Sequence, residues 1–193
     1  SADKKSLAEN SGITPEGDLG FQRSVIMEEE YISTDKNRFQ VNTRQQISET
    51  SCDLISEANR SINIMLYDYD DILLPASRID ELLSSFIRQH ERSRFRYLCS
   101  ESDILRERGG KLIQLARRFS TFITLRQLPD DLKPIREQFI TTDGESCMQT
   151  QDHRSYDYYA NLNNRARALQ LNNHFDVLWQ RSASVAGVHV TGL

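Results

Sequence analysis

Between Ser61 and Arg126 three short apolar runs alternate with two amphipathic ones, and this alternation restricts the chain more than any other feature. Ser61–Tyr67 (SINIMLY) reads as a strand apolar enough toward its end to be buried on both faces. Arg94–Cys99 (RFRYLC) alternates as a second strand, and Phe122–Arg126 (FITLR) is a third. Ile79, Leu82, Leu83, Phe86 and Ile87 form one helical stripe between them, in a helix starting near Ser77 as N-cap. Leu112, Ile113, Leu115, Ala116 and Phe119 form another. Strands separated by helices connect through right-handed crossovers, which predicts a parallel core to the sheet.

The flanking elements complete that frame. A helix is expected from Thr43 to Arg60, with Ile47, Leu54, Ile55 and Ala58 on one face. Downstream, Gln138–Thr142 and Glu145–Gln149 read as two strands joined by a tight turn at Asp143-Gly144. A last helix, from Asn164 to Arg181, carries Ala168, Leu171, Phe175, Leu178 and Trp179, the Trp as a core anchor. The expected fold class is α/β: a mixed, largely parallel sheet sandwiched by helices. At 193 residues the chain suits one domain with extensions. We expect a partly ordered extension over 1–40, the α/β domain over 41–182 and a loose tail over 183–193.

Charge and cysteines narrow the function classes. The formal charge is −4, yet Arg88 to Arg126 carries ten basic against four acidic residues. Such a segment attracts phosphate, although Arg-rich helix faces are common in soluble proteins. No run reaches the roughly 20 apolar residues of a membrane-spanning helix. The start has lysines with no apolar stretch behind them, unlike a secretory signal. Cys52, Cys99 and Cys147 are odd in number, widely spaced and set among apolar residues. Buried reduced thiols and a cytoplasmic setting are the expectation.

Several chemistries lack their residues. There is no Gly-x-Gly-x-x-Gly and no phosphate loop, and Gly109-Gly110 reads as a plain helix start. The four histidines are scattered without ligand spacing, so no metal and no cofactor are expected. No Gly-x-Ser-x-Gly elbow is present, and Cys147 lies within a strand. Two places do collect polar groups. Asp68 and Asp70 follow the first strand, where open α/β sheets bind ligands and where helix caps also occur. The stretch Ile135–Tyr156 presents Arg136, Gln138, Asp143, His153, Arg154 and Tyr156 on what we expect to be a single rim.

From about Asn42 to Ser182 the order of elements and the Asp-Gly hairpin resemble one half of the phospholipase D-like fold. Members carry His-x-Lys-x4-Asp-Gly on a strand–turn–strand, followed by a Gly-Ser-x-Asn step. Here the matching stretch is Arg136-Glu137-Gln138-Phe139-Ile140-Thr141-Thr142-Asp143-Gly144: spacing and Asp-Gly are kept, His is replaced by Arg136 and Lys by Gln138. The following step, Thr150-Gln151-Asp152-His153, also departs. More narrowly, LYDYDD, KLIQLARRFS, HRSY and FDVLWQRS resemble a bacterial uncharacterised domain of this fold. That domain is catalytically degenerate, and it occurs alone or attached to an acetyltransferase domain.

The resemblance implies a fold and a loss of chemistry. The family's reaction needs one imidazole to attack phosphorus and a second to protonate the leaving group. A guanidinium, with a pKa above about 12, does neither at neutral pH, but it can bind phosphate. The leading expectation is therefore a non-catalytic binding or interaction module for an anionic ligand or a protein partner. Its ligand contacts would be Arg136, Gln138, Asp143, His153, Arg154 and Tyr156, faced by Asp68 and Asp70. Because the fold pairs two halves around its site, a single half implies a homodimer. One alternative is a phosphodiester hydrolase or phosphotransferase using His153 with Asp143 or Asp68. Another is a nucleic-acid-backbone binder using Arg94, Arg96, Arg106, Arg108, Arg117 and Arg118. The overall acidity and the lack of interleaved aromatic residues make the nucleic-acid reading the less favoured.

Overall fold

The apolar run SINIML is the centre of the sheet. In the computed structural model, which describes residues 37–188, β2 (Ser61–Leu66) lies between β3 (Arg94–Cys99) and β5 (Gln138–Thr142). Strand β3 continues to β4 (Ile123–Gln127) and then to a two-residue β8 (Ala183–Ser184). On the other side, β5 leads to β6 (Ser146–Thr150), β7 (Tyr158–Asn161) and β1 (Arg38–Val41).

The helices are α1 (Arg44–Glu57), α2 (Ile79–Gln89), α3 (Asp103–Arg108), α4 (Gly110–Arg118) and α5 (Arg165–Arg181). Thr43 caps α1, its side chain accepting from Gln46 N–H at 3.2 Å. The cap expected from Ser77 is absent: α2 starts one residue later, behind Arg78, with Asp80 and Glu81 in its first turn. Those acids suit the positive end of the helix dipole.

Fold class is as expected, but the sheet is mostly antiparallel. Among the described residues only β2–β3 and β3–β4 are parallel, and these are the two contacts bridged by helical crossovers. The contacts β2–β5, β5–β6, β6–β7, β1–β7 and β4–β8 are all antiparallel. The reason is local. Short loops join β5, β6 and β7 into a meander, and a short loop can only reverse direction.

The period-2 pleat separates two cores. Ile62, Ile64 and Leu66 of β2 join Phe95, Tyr97 and Cys99 of β3 in a core with residues of α1, α2 and α4. Met65, Leu98, Phe139 and Cys147 point the other way and meet Leu171, Phe175 and Leu178 of α5. Polar groups also bridge this second face. Arg96 pairs with Asp176 at 2.9 Å and donates to Asn63 Oδ1, and Asn63 donates to Asn172 Oδ1. The same guanidinium lies over the Phe175 and Trp179 rings, so Trp179 is anchored on the α5 side of the sheet.

The ends differ from the sequence reading. Strand β1 begins before the expected domain start, and the expected extension otherwise lies outside the described residues. The described part of the tail is docked rather than loose. Residues Val185 and Val188 are buried, and Arg117 donates to the Val188 carbonyl at 2.9 Å. Both β1 and β8 are short edge strands whose partners lie far away in sequence, so their own residues carry little signal. Among the described residues no helix is long and apolar enough to cross a membrane.

All three thiols are free and buried, in agreement with the sequence reading. Burial pushes Cys99 up to about 12 and Cys147 up to about 11, and raises Cys52 as well. At pH 8 the thiolate fraction of Cys147 would be about one in a thousand. Ellman's reagent is therefore expected to titrate no cysteine in the native chain and three after denaturation. A native thiol reacting within seconds would contradict the packing.

Candidate functional site

The C-terminal end of β2 opens into a cleft of about 480 Å³. Its walls come from Tyr67–Ile72 after β2, Ile104 and Arg108 of α3, Arg44 of α1, Gln138 of β5 and the His153–Tyr156 loop. Outside the carboxyl ends of parallel strands such a crevice is the usual ligand position in α/β sheets.

Of the eight residues singled out in the sequence, Asp68, Asp70, Gln138, His153, Arg154 and Tyr156 line this cleft. Arg136 and Asp143 do not. The side chain of Arg136 is exposed outside it, although the Arg136 carbonyl accepts from His153 N–H at 2.7 Å. Asp143 sits at the far end of β5, on the order of 16 Å from Gln138 at strand rise. Its carboxylate accepts from Asn59, Arg60 and Ser61 N–H at 2.9, 2.8 and 2.9 Å. The single rim expected from the motif is thus divided. Residues at the two ends of a strand cannot face one ligand, and Asp143 ties the α1–β2 connection to the hairpin instead.

Several lining residues are already occupied. Gln138 is 2% exposed, with Oε1 accepting from Tyr67 N–H at 2.9 Å and Nε2 donating to Tyr158 Oη at 2.8 Å. Asp68 accepts from Tyr69, Ile104 and Leu105 N–H, the last two being orphan donors at the start of α3. It is a helix cap supplied from another element. Arg154 forms a bidentate pair with Asp152, which holds the Asp152 carboxyl well below the usual carboxylate range.

Other groups retain capacity. The His153 ring stacks on Tyr67, with centroids 4.0 Å apart and planes 3° from parallel. Its Nδ1 is buried without a hydrogen-bond partner among the described residues, 3.8 Å from Asp152 Oδ1. Burial raises the pKa of Asp70, while bonds from the Ile72 and Leu73 N–H groups and the charge of Arg44 oppose the rise. Arg44 lies over the Tyr156 ring at 5.6 Å. Neither Arg44 nor Arg108 has an ion-pair partner among the described residues.

Tyr67, Arg44 and Arg108 were not assigned to this site from sequence. Arg108 belonged to the basic segment, and Tyr67 ended the strand that leads into the cleft. Arg44, at the start of a distant helix, carried no signal. The basic segment itself is spread over different surroundings. Arg96 is engaged on the α5 face, Arg106 pairs with Asp103, Arg117 holds the tail, and Arg94 and Arg118 lie over Phe122 and Phe119. The six arginines are thus dispersed over the α5 face of the sheet, α3, α4 and the cleft.

Comparison with known proteins gives a family and a fold. A family model described as "Domain of unknown function (DUF7931)" matches residues 43–189. No curated protein matches the sequence. Nuc, a phospholipase D family member from Salmonella typhimurium, superposes with a TM-score of 0.57 at 11% identity, over 77% of this chain and 97% of that one. The archaeal chromatin protein TrmBL2, described as showing a novel mode of DNA binding, gives 0.57 at 13%, over 86% of this chain and 62% of that one. The phosphatidylserine synthase of Haemophilus influenzae gives 0.55 at 11%, over 88% of this chain and 44% of that one. The chain therefore spans less than two thirds of the last two proteins and nearly all of Nuc. At these identities the likeness shows the fold, which is phospholipase D-like.

Proposed function

The chain belongs to the DUF7931 family of domains of unknown function, and on that premise we propose that it is a non-catalytic phospholipase D-like module that binds a phosphate-bearing ligand in the cleft. The observation carrying this reading is the engagement of Gln138. Both ends of its amide are used inside the protein, by Tyr67 N–H and Tyr158 Oη. The residue in the family's Lys position is thus part of the scaffold and has no cation to offer phosphate. Arg136, in the family's His position, is exposed outside the cleft and is no nucleophile. Anion-binding capacity sits instead on Arg44 and Arg108, with the His153 ring in the same lining.

Catalysis through His153 is the competing reading, and its support is one imidazole in the cleft. Attack by an imidazole nitrogen on a phosphodiester forms a P–N bond and expels an alkoxide, which needs a proton from a second group. Among the described residues no second histidine lines the cleft, and Asp152 is committed to Arg154. The degeneracy inferred from the motif, a cytoplasmic bacterial setting, a homodimer and an occasional acetyltransferase partner domain belong to the same proposal. The three unpaired thiols favour the reducing compartment.

The test is calorimetry with inorganic phosphate at low ionic strength, run beside hydrolysis of bis(p-nitrophenyl) phosphate. Phosphate is expected to bind weakly, and Arg108→Ala to weaken it by about 1 kcal/mol, roughly fivefold. Wild type and His153→Ala are expected to show the same background hydrolysis. Turnover that disappears in His153→Ala would overturn the non-catalytic reading.

A further inference from the structure

Resting on that reading of the cleft, we propose that its ligand is a mononucleotide: a phosphate monoester attached through a sugar to a planar base with an exocyclic amine. The argument starts from charge. Arg44, Arg108 and Arg154 line the cleft against Asp68, Asp70 and Asp71, and Arg154 is already neutralised by Asp152. A bare phosphate attracted by Arg44 and Arg108 would therefore enter a site that also holds carboxylates. A bare cation would meet the guanidinium groups. A ligand with an anion at one end and N–H donors at the other meets both.

The acceptor for those donors is Asp70, since Asp71, which accepts from Ala76 N–H, is exposed to water while Asp70 is half-buried. Asp68 spends its oxygens on three backbone N–H groups and Gln138 both ends of its amide. Asp70 Oδ1 accepts from Ile72 N–H at 2.8 Å, and the Leu73 N–H also favours its charged form. A carboxylate has about four lone-pair directions, so roughly half its accepting capacity is left. Arg44 lies over the Tyr156 ring and its charge acts on Asp70, which puts Arg44 with the base and leaves Arg108 for the phosphate. Tyr156 is 47% exposed, with the Arg44 guanidinium over one ring face, and the Tyr67–His153 stack forms another flat surface. Stacking on such rings tolerates any base. The cleft volume of about 480 Å³ lies within the range of small-ligand pockets.

Calorimetry on the full chain with AMP, ribose 5-phosphate and inorganic phosphate tests the inference separately from the reading beneath it. AMP is expected to bind about tenfold more tightly than either smaller phosphate. D70N is expected to reduce that preference toward unity while strengthening inorganic phosphate, because it removes a like charge. Equal binding of all three overturns the mononucleotide and leaves the anion site standing. No binding of any at millimolar concentration overturns both. An AMP preference that persists in folded D70N also overturns the inference, and if D70N does not fold, the wild-type series decides.

Discussion

Asp143→Ala is expected to destabilise the chain by about 3 kcal/mol without altering phosphate affinity. The carboxylate accepts from three successive backbone N–H groups, those of Asn59, Arg60 and Ser61. Solvent competes for such bonds, which leaves about 0.5–1.5 kcal/mol each, and two of the three here are exposed, so together they contribute about 2 kcal/mol. Alanine would also have to hold the left-handed backbone seen at this position, φ 54°, at a cost of about 1 kcal/mol. For a domain of this size 3 kcal/mol corresponds to a melting temperature lower by about 6–12 °C. Asp143→Asn, which tolerates the left-handed backbone and keeps one acceptor, should cost about half as much. Melting by circular dichroism and phosphate calorimetry below the transition give the two readouts. A variant that melts like wild type but no longer binds phosphate would return Asp143 to a ligand role and contradict its placement at the far end of β5.

That division of labour marks where the sequence was legible. The spacing from Arg136 to Asp143 and the Asp-Gly turn identified a strand, a turn and a strand, because hairpin chemistry is local. They could not say which end of that strand meets the cleft, since that depends on β5 pairing antiparallel with β2. The same limit applies at Asp68. A carboxylate after a buried strand suits a ligand or a cap equally well, and the donors that decide it, Ile104 and Leu105, lie on a six-residue helix that the sequence did not reveal. The start of α1 near Thr43 and the strand SINIML were readable because a helical period and a doubly buried strand depend on neighbouring residues. Strands β1 and β8 were not, because four and two residues on a sheet edge carry neither a period nor a core face. Arg44 reaches the cleft only through the packing of α1, and local periodicity does not encode that reach.

Gln138→Lys, which installs the lysine of the phospholipase D-like motif, is expected to be among the most destabilising single changes in the cleft. Lysine brings three donors and no acceptor. Tyr67 N–H would lose its partner and face an ammonium, in a position only 2% exposed. An unsatisfied buried donor costs about 1–3 kcal/mol, and burying an unpaired charge adds to it, so about 4 kcal/mol is expected in all. The melting temperature should fall by roughly 8–16 °C. Gln138→Glu is the informative control. Its carboxylate still accepts from Tyr67 N–H, and the Tyr158 hydroxyl can turn to donate in place of accepting, so its loss should be smaller. Arg136→His, on an exposed side chain, should stay within about 0.5 kcal/mol of wild type. The double variant would then carry both motif residues and still hydrolyse bis(p-nitrophenyl) phosphate no faster than wild type. Its histidine would lie outside the cleft, and its lysine would disrupt the wall that Gln138 now holds together. A stable double variant with new phosphodiesterase activity would show instead that the catalytic geometry persists beneath two substitutions.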